Sequence, residues 1–405
     1  MTTRPAPKQP KAKPDTASAV RRQLTSEIPA TPQTVTNMDI SLLVQDISDV
    51  IDSARNQVSV AANALLTTLY WQIGRRVHEY VLDGQRAEYG EEIVVTVSRQ
   101  LEAQYGGGFG KANLWRMVQF AVAYPDAEIV ATLSRELSWS HFVALIPLKD
   151  SLKRDYYAEM CRVERWSVRC LRERIDSMLY ERTAISKKPD AVIREELSAL
   201  RETDILSPLF VFRDPYMLDF LDLADTYSEK DLESAILREI EGFLLELGAG
   251  FAFVERQMRI TLDGDDYYLD LLFFHRRMQR LVAIELKIGD FKPSDSGQME
   301  LYLRWLDRHE RQPSEHQPLG IILCAGKKQE TVEYLDLDKR GIHVAEYMTE
   351  LPPREVLEQR LRLAIETAKQ QLARSVDVRR RLDLPSPDAT LAVRAGCRKR
   401  RGVRS

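Results

Sequence analysis

Through the first half of the chain, apolar residues recur at steps of three and four, the period of helices that bury one face. In ISLLVQDISDVIDSA the positions Ile40, Leu43, Ile47 and Ile51 form such a stripe, which predicts a buried helix. A second helix is predicted through NALLTTLYWQIGRRVHEYVL and a third through EEIVVTVSRQLEAQY, which Gly106–Gly108 end. KANLWRMVQFAVAYP follows and stops at Pro125. LSRELSWSHFVALIPL and WSVRCLRERIDSMLYERT read as two more helices, with Ser138 and Ser167 as their caps. Residues 38–188 are therefore expected to form a helical domain.

Residues 189–205 are charged and weakly periodic, the pattern of a connecting helix or linker. A second domain is expected over 206–375. It opens with the helix EKDLESAILREIEGFLLELG, closed by Gly248. The period then changes to two. FAFVERQMRITL, YYLDLLFF and LVAIELKI read as strands, the first two joined by a turn at Asp263–Asp266. The helix SDSGQMELYLRWLDRH, the strands LGIILCAG and IHVAEYM, and the helix PREVLEQRLRLAIETAKQQL complete an α/β domain.

At 405 residues, 44% hydrophobic and 29% charged, the chain is long and apolar enough for two or three packed domains. Its longest uncharged stretch, 56–74, holds too many Asn, Gln, Ser and Thr residues for a membrane span. The first residues lack the apolar core of a signal peptide. Four cysteines without a CxxC pair argue against a disulfide framework or a zinc ribbon, so a soluble, cytoplasmic protein is expected.

The net charge of −3 is unevenly spread. Residues 1–37 carry six Lys/Arg against two acids, and residues 394–405 carry six Lys/Arg and no acid. The first segment, with six prolines, reads as a disordered arm, and 376–405 as a flexible basic tail. The body between them is acidic, which excludes coating of duplex DNA by bulk charge. Nucleic-acid contacts must then be local. The most positive stretch of the body is 161–188, with eight basic residues against four acids. Arg165, Arg169 and Arg172 there, and Lys292 beyond the strands, are the candidate DNA contacts.

The chemistry-bearing constellation lies in YYLDLLFFHRRMQRLVAIELKI. A hairpin centred between Arg277 and Met278 places Asp270 opposite Glu285, with Lys287 on the same face two residues on. Leu269, Leu271, Phe273, Val282, Ile284 and Leu286 are expected to point the other way, into a core. Two carboxylates and one ammonium on one patch of sheet suit metal-assisted phosphodiester hydrolysis. The carboxylates would hold Mg²⁺ or Mn²⁺, and the lysine would assist the attacking water. In the next helix Gln298 and Tyr302 share a face and would lean toward the hairpin, to contact phosphate or order a water. The bland alternative is a surface Glu285–Lys287 pair worth about 1 kcal/mol or less. Against it, these charges interrupt strands that are otherwise strongly apolar.

The stretch DYYLDLLFFHRRMQRLVAIELKIGDFKPSDSGQMELYL resembles the C-terminal domain of YhcG-type proteins, bacterial members of the PD-(D/E)XK nuclease superfamily. The resemblance extends through FLLELGAGFAFVERQMRI and, in the helical half, through LYWQIGRRV, RAEYG, NLWRMVQF, LSWSHF and WSVRCLRERIDSMLYER. It implies a restriction-endonuclease-like domain with a mixed central sheet. Asp270, Glu285 and Lys287 match the acidic–E-x-K core, and Gln298 and Tyr302 match the Q-x-x-x-Y element of RecB-like nucleases. It also implies a metal-binding glutamate on an upstream helix, for which Glu233 and Glu241 both qualify. Ser296 stands where a small apolar residue is expected.

The function implied is a metal-dependent nuclease acting on DNA, with the helical domain recognising nucleic acid or a protein partner. Two-fold cutting of a duplex would require a homodimer. The rival readings are a catalytically silent DNA-binding protein and an interaction module of a defence or restriction system. His141, between aromatics, reads as a hydrogen-bonded packing residue, and His275 as a solvated turn residue.

Overall fold

The computed structural model describes residues 37–82, 90–223 and 226–381. The residues before Asn37 and the basic run after Arg381, read above as arm and tail, lie outside the described residues. The described residues fall into two compact units, divided between Ser59 and Val60.

The described part of the first unit is helical, the start of a single helix over Asn37–Leu82. The pattern divides this stretch into two helices, but no glycine or proline occurs before Gly74 to stop the first. The stripe expected to be buried is open at Ile47, 49% exposed, and at Ile51, 45% exposed. Helical period shows that a face is apolar; it does not show that the same chain covers it.

In the second unit the same helix does pack. Thr67, Tyr70, Trp71 and Gly74 are buried at helical spacing. A Cβ at Gly74 would lie 1.8 Å from the Met117 carbonyl oxygen, so the helix touches the backbone of the Lys111–Ala123 helix and only glycine fits. Trp71 Nε1 donates to the Tyr124 carbonyl at 2.7 Å. Short helices follow, started by local capping. Asp126 and Asp150 accept from the backbone N–H groups of their first turns. Ser138 forms a capping box with His141, whose Nε2 reaches the Trp166 carbonyl at 3.0 Å. Ser167 accepts from the Cys170 N–H. The 189–205 stretch takes the helical of its two expected forms, Asp190–Thr203, and buries Ile193, Leu197 and Leu200.

The sheet is mixed and six-stranded. Its strands are β1 (Tyr216–Met217), β2 (Phe251–Leu262), β3 (Asp265–His275), β4 (Arg280–Asp290), β5 (Leu319–Gly326) and β6 (Ile342–Met348), in spatial order β1-β6-β5-β4-β3-β2. The β2–β3–β4 meander is antiparallel, whereas β4, β5, β6 and β1 run parallel. The β2–β3 turn is Asp263-Gly264 with both residues at positive φ, the primed turn that matches strand twist. The pattern missed β1, which is only two residues long.

Both sheet faces are covered. On one, Leu271, Phe273, Val282, Ile284 and Leu286 join a continuous apolar cluster that runs from Trp71 to Tyr347 and includes most of the helical region. On the other, Leu272, Ala283, Ile322 and Val344 pack with Met299, Tyr302, Leu303 and Leu306 of the Pro293–His309 helix. Gly320 lets that helix approach, since a Cβ there would sit 2.5 Å from Met299 Sδ. Buried ion pairs reinforce the first side. Glu246 holds Arg182 at 2.5 Å and Arg213 at 2.7 Å, and Asp214 holds Lys327 at 2.5 Å and also Lys187.

One core assignment is corrected. Leu269 is buried in the second cluster, opposite in face to Leu271. Strand alternation breaks at Asp270, where the facing Gln257 has φ +47° and the ladder skips from Arg256↔Leu271 to Met258↔Leu269.

His275 is corrected too. It ends β3 fully buried, with Nδ1 accepting from the Met278 N–H at 3.1 Å, so it is not a solvated turn residue.

Candidate active site

The β3–β4 register pairs Leu271 with Ile284 and Phe273 with Val282. Continued by one step, it sets Asp270 beside Glu285, and the alternation of β4 turns Glu285 and Lys287 to the face covered by the Pro293–His309 helix. Parity and a short hairpin turn thus assemble the group from local sequence.

Asp270 is held by two donors. Its Oδ2 accepts from the Leu286 N–H at 2.8 Å and its Oδ1 from Gln257 Nε2 at 3.0 Å. The same Gln257 nitrogen donates to Glu233 Oε2 at 2.8 Å, so one carboxamide ties two carboxylates together. Glu285 is 3% exposed. Its Oε1 accepts from Lys287 Nζ at 3.0 Å and from Gln298 Nε2 at 3.4 Å, while its Oε2 is buried with no hydrogen-bond partner. Gln298 also donates to Tyr302 Oη at 2.5 Å, and Tyr302 donates to the Tyr268 carbonyl at 3.1 Å. Tyr302 is fully buried, so its hydroxyl orients Gln298 and does not reach solvent. Ser296 is buried as well, its hydroxyl satisfied by the Pro293 carbonyl at 2.7 Å, which lets a polar residue occupy an apolar position.

The electrostatics are those of crowded carboxylates. Burial, reinforced by the Asp270 charge, pushes Glu285 up to about 7. Asp270 is raised by burial despite the Leu286 N–H and Lys287, and Glu233 is raised by burial and by Asp270. Burial opposes the Lys287 charge, but Glu285, Glu229 and Asp270 outweigh it and hold its pKa above the usual value.

The structure therefore brings together Asp270, Glu285, Lys287, Gln298, Tyr302 and Glu233. Glu241 stays out. It is exposed on the next helix, Ile240–Leu247, beyond a kink at Glu239. Two residues near the site escape sequence reasoning. Glu229, one turn before Glu233, accepts from the Ile288 N–H at 3.4 Å, and Gln257 comes from the bulged edge strand. The i, i+4 spacing of Glu229 and Glu233 was a readable signal; Gln257 left none. Arg165, Arg169 and Arg172 are exposed, and no hydrogen bond or ion pair among the described residues links them to this site. Arg169 pairs with Glu173 at 2.9 Å. Lys292 is exposed and caps the Pro293–His309 helix, its backbone N–H on Asp295 at 2.8 Å.

Among the described residues no three His, Cys, Asp or Glu side chains converge to hold a metal ion. The residues nonetheless fit a hard divalent cation that retains water and takes one or two carboxylates. Glu285 presents a buried oxygen without a donor, and burial and the Asp270 charge oppose its ionisation more than Lys287 favours it. Asp270 and Glu285 would hold the ion, with Glu233 behind them.

Both halves of the chain match known proteins. Residues 210–363 match the YhcG PDDEXK nuclease domain, and residues 46–182 match the DUF1016 N-terminal domain. A relative from Escherichia coli (strain K12), named "Putative nuclease YhcG", is 36% identical over 366 residues, covering 83% of this chain and 95% of the relative. Among solved structures, the EndoMS-dsDNA2 complex aligns at 19% identity and TM-score 0.25, over 32% of this chain and 48% of that one. A repair endonuclease from Pyrococcus abyssi aligns at 20% identity and TM-score 0.22, over 32% of this chain and 50% of that one. The chain thus spans about half the length of each of these two structures. With both domain types in order and the E. coli protein matched almost end to end, the chain belongs to the YhcG family of PDDEXK nuclease-domain proteins.

Proposed function

We propose that this protein is a metal-dependent nuclease that hydrolyses phosphodiester bonds in DNA, its helical region contributing recognition of the substrate or of a partner. The observation that carries the reading is the unpartnered, buried Glu285 Oε2 beside Asp270, a site short of one cation. Bound there, Mg²⁺ or Mn²⁺ would polarise a phosphoryl oxygen and acidify a water. The chain's own groups do the rest. Gln257 spaces Asp270 from Glu233 and keeps both lone-pair sets aimed. Lys287 stays charged and stabilises negative charge as it develops on the phosphoryl oxygens. Gln298, locked by Tyr302, points its carboxamide at Glu285 and restricts where a water can sit.

DNA contacts would come from local groups, because the body of the chain is acidic. Arg165, Arg172 and Lys292 are exposed and open to phosphates, and Arg169 can exchange Glu173 for one. The free thiols of Cys161, Cys170 and Cys324 suit a reducing compartment, the cytoplasm.

The test compares wild type, Asp270→Asn, Lys287→Ala and the double variant on supercoiled plasmid, linear duplex, branched DNA and RNA, each with Mg²⁺, Mn²⁺ or EDTA. Metal-dependent DNA cleavage that falls about a thousand-fold or more in the variants is expected. Activity retained in the double variant overturns the site. Cleavage confined to RNA overturns the substrate, and binding without cleavage in any metal overturns the enzyme reading.

A further inference from the structure

The carboxylate site has a charge deficit that its own lysine does not close. Glu229, Glu233, Asp270 and Glu285 stand against Lys287, so one bound divalent ion still leaves negative charge in excess where a phosphodiester must dock. Two further cations reverse that balance, and both lie on the Glu233 side.

Arg256 precedes the bridging Gln257 in β2, and its register partner is Leu271, the residue after Asp270. Residues directly opposite each other share a face. Leu271 belongs to the apolar cluster that also takes Leu232, Ala235 and Ile236 of the Glu229–Arg238 helix. Arg256 is therefore on the face of the sheet where this helix packs. Lys230 comes from the same helix, one turn before Glu233 and on the same side of it. Strand and helix thus each bring one cation to Glu233. Burial and the Asp270 charge raise the Glu233 pKa, and Arg256 and Lys230 both draw it down.

The fold does not consume either charge. Both side chains are exposed, and among the described residues neither makes a hydrogen bond or an ion pair. The acids next to them in sequence are placed or engaged elsewhere. Glu255 pairs with Leu272, on the opposite face. Asp231 caps its helix by accepting from the Ser228 N–H at 2.9 Å. Arg259, by contrast, is already tied to Asp266 at 2.7 Å. Lys287 stands at the other end of the site, 3.0 Å from Glu285. A phosphate held between the carboxylates and Lys287 leaves Arg256 and Lys230 beside the next phosphate of the same strand.

We propose that Arg256 and Lys230 form a phosphate subsite that grips the substrate backbone next to the bond to be cut. The assignment rests on the nuclease reading for its ligand, a nucleic-acid phosphate. Such a contact fixes affinity and register without reading sequence.

Binding and cleavage test it separately. In EDTA, fluorescence anisotropy of a labelled DNA duplex is followed with the full-length protein between about 50 and 200 mM KCl. Each phosphate contact contributes about 0.9 to the slope of log K against log salt. Arg256→Gln/Lys230→Gln should therefore flatten the slope by about 1.8 and weaken binding about sixty-fold at about 0.1 M salt. Arg256→Lys/Lys230→Arg keeps both charges and should restore the slope. Both positions are exposed, so far-UV circular dichroism should show the fold intact. The second arm locates the contact. On a duplex whose cut position has been mapped with Mg²⁺, each phosphate flanking the scissile one is replaced in turn by a neutral methylphosphonate. At one of them wild-type cleavage should slow, while the Gln/Gln variant loses nothing further. An unchanged salt slope overturns the subsite, as does a wild type that fails to bind at the lowest salt. Methylphosphonates that slow wild type and variant alike at every position overturn its place beside the cut. A protein that cuts nothing but shows the slope change loses the nuclease reading and keeps the subsite; one that cuts with the slope unchanged loses the subsite alone.

Discussion

Replacing Gln257 by glycine should separate stability from activity. Gln257 lies in β2 at φ +47°, a left-handed backbone that costs a residue with a Cβ about 1–2 kcal/mol. Glycine removes that strain but adds about 0.5–1 kcal/mol of chain entropy to be lost on folding. The carboxamide's two hydrogen bonds, 2.8 Å to Glu233 and 3.0 Å to Asp270, join half-buried carboxylates at the open side of the site that water can reach in its place, so their loss weighs little on the fold. The unfolding free energy of Gln257→Gly should thus lie between unchanged and about 1.5 kcal/mol higher. Activity should move the other way. Without the shared donor the two carboxylates repel and lose their aim, and about 1.4 kcal/mol of lost positioning is a tenfold slower cleavage step. Gln257→Asn accepts the left-handed backbone but is one methylene too short to bridge, so it should fold normally and cut as slowly as the glycine variant. Urea unfolding in EDTA and initial cleavage rates at saturating metal measure the two quantities. A glycine variant that loses more than about 1 kcal/mol while cutting at the wild-type rate refutes the reasoning, because the strain would then serve the fold and not the site.

Two further predictions concern the buried polar groups. Arg182 is 1% exposed and shares Glu246 with Arg213, so Arg182→Met leaves a buried carboxylate with one of its two guanidinium partners and should lower the unfolding free energy by about 3–5 kcal/mol in denaturant titration; a loss under about 1 kcal/mol would show the pair to be dispensable. Burial pushes His275 down to about 4, against about 6.5 in the unfolded chain, so the unfolded state binds the extra proton between those values. Its contribution is complete above about pH 6.5 and is lost as pH falls toward about 4, up to about 3 kcal/mol. His275→Gln should flatten the stability–pH slope in that window, and an unaltered slope would rule the group out.

How much of the site was legible depends on how far each residue is from its partners along the chain. Asp270 and Glu285 lie on two strands joined by a tight turn, where counting back from the hairpin's midpoint sets the register, and Leu271↔Ile284 confirms the count. Lys287 follows by parity, and Gln298 and Tyr302 by one helical turn. The choice between Glu233 and Glu241 was not available, because it depends on where a kinked helix docks on the sheet. Gln257 carried no signal at all. Its role arises from a left-handed backbone within an edge strand, which no periodicity marks. The first helix failed in the opposite way. Its stripe was plainly visible, but burial was inferred from a pattern that only guarantees an apolar face.

Sequence alone determined the class of the protein: helices first, then a strand-rich α/β half, with two carboxylates and a lysine set by alternation on one hairpin. Those are short-range consequences of side-chain period and turn length, which operate over a few residues. Tertiary structure decided which glutamate joins them, that Gln257 bridges two acids, that Tyr302 is sealed inside, and that one apolar core joins Trp71 to Tyr347. These depend on how distant surfaces meet, a matter of packing shape and charge that no local window of residues contains.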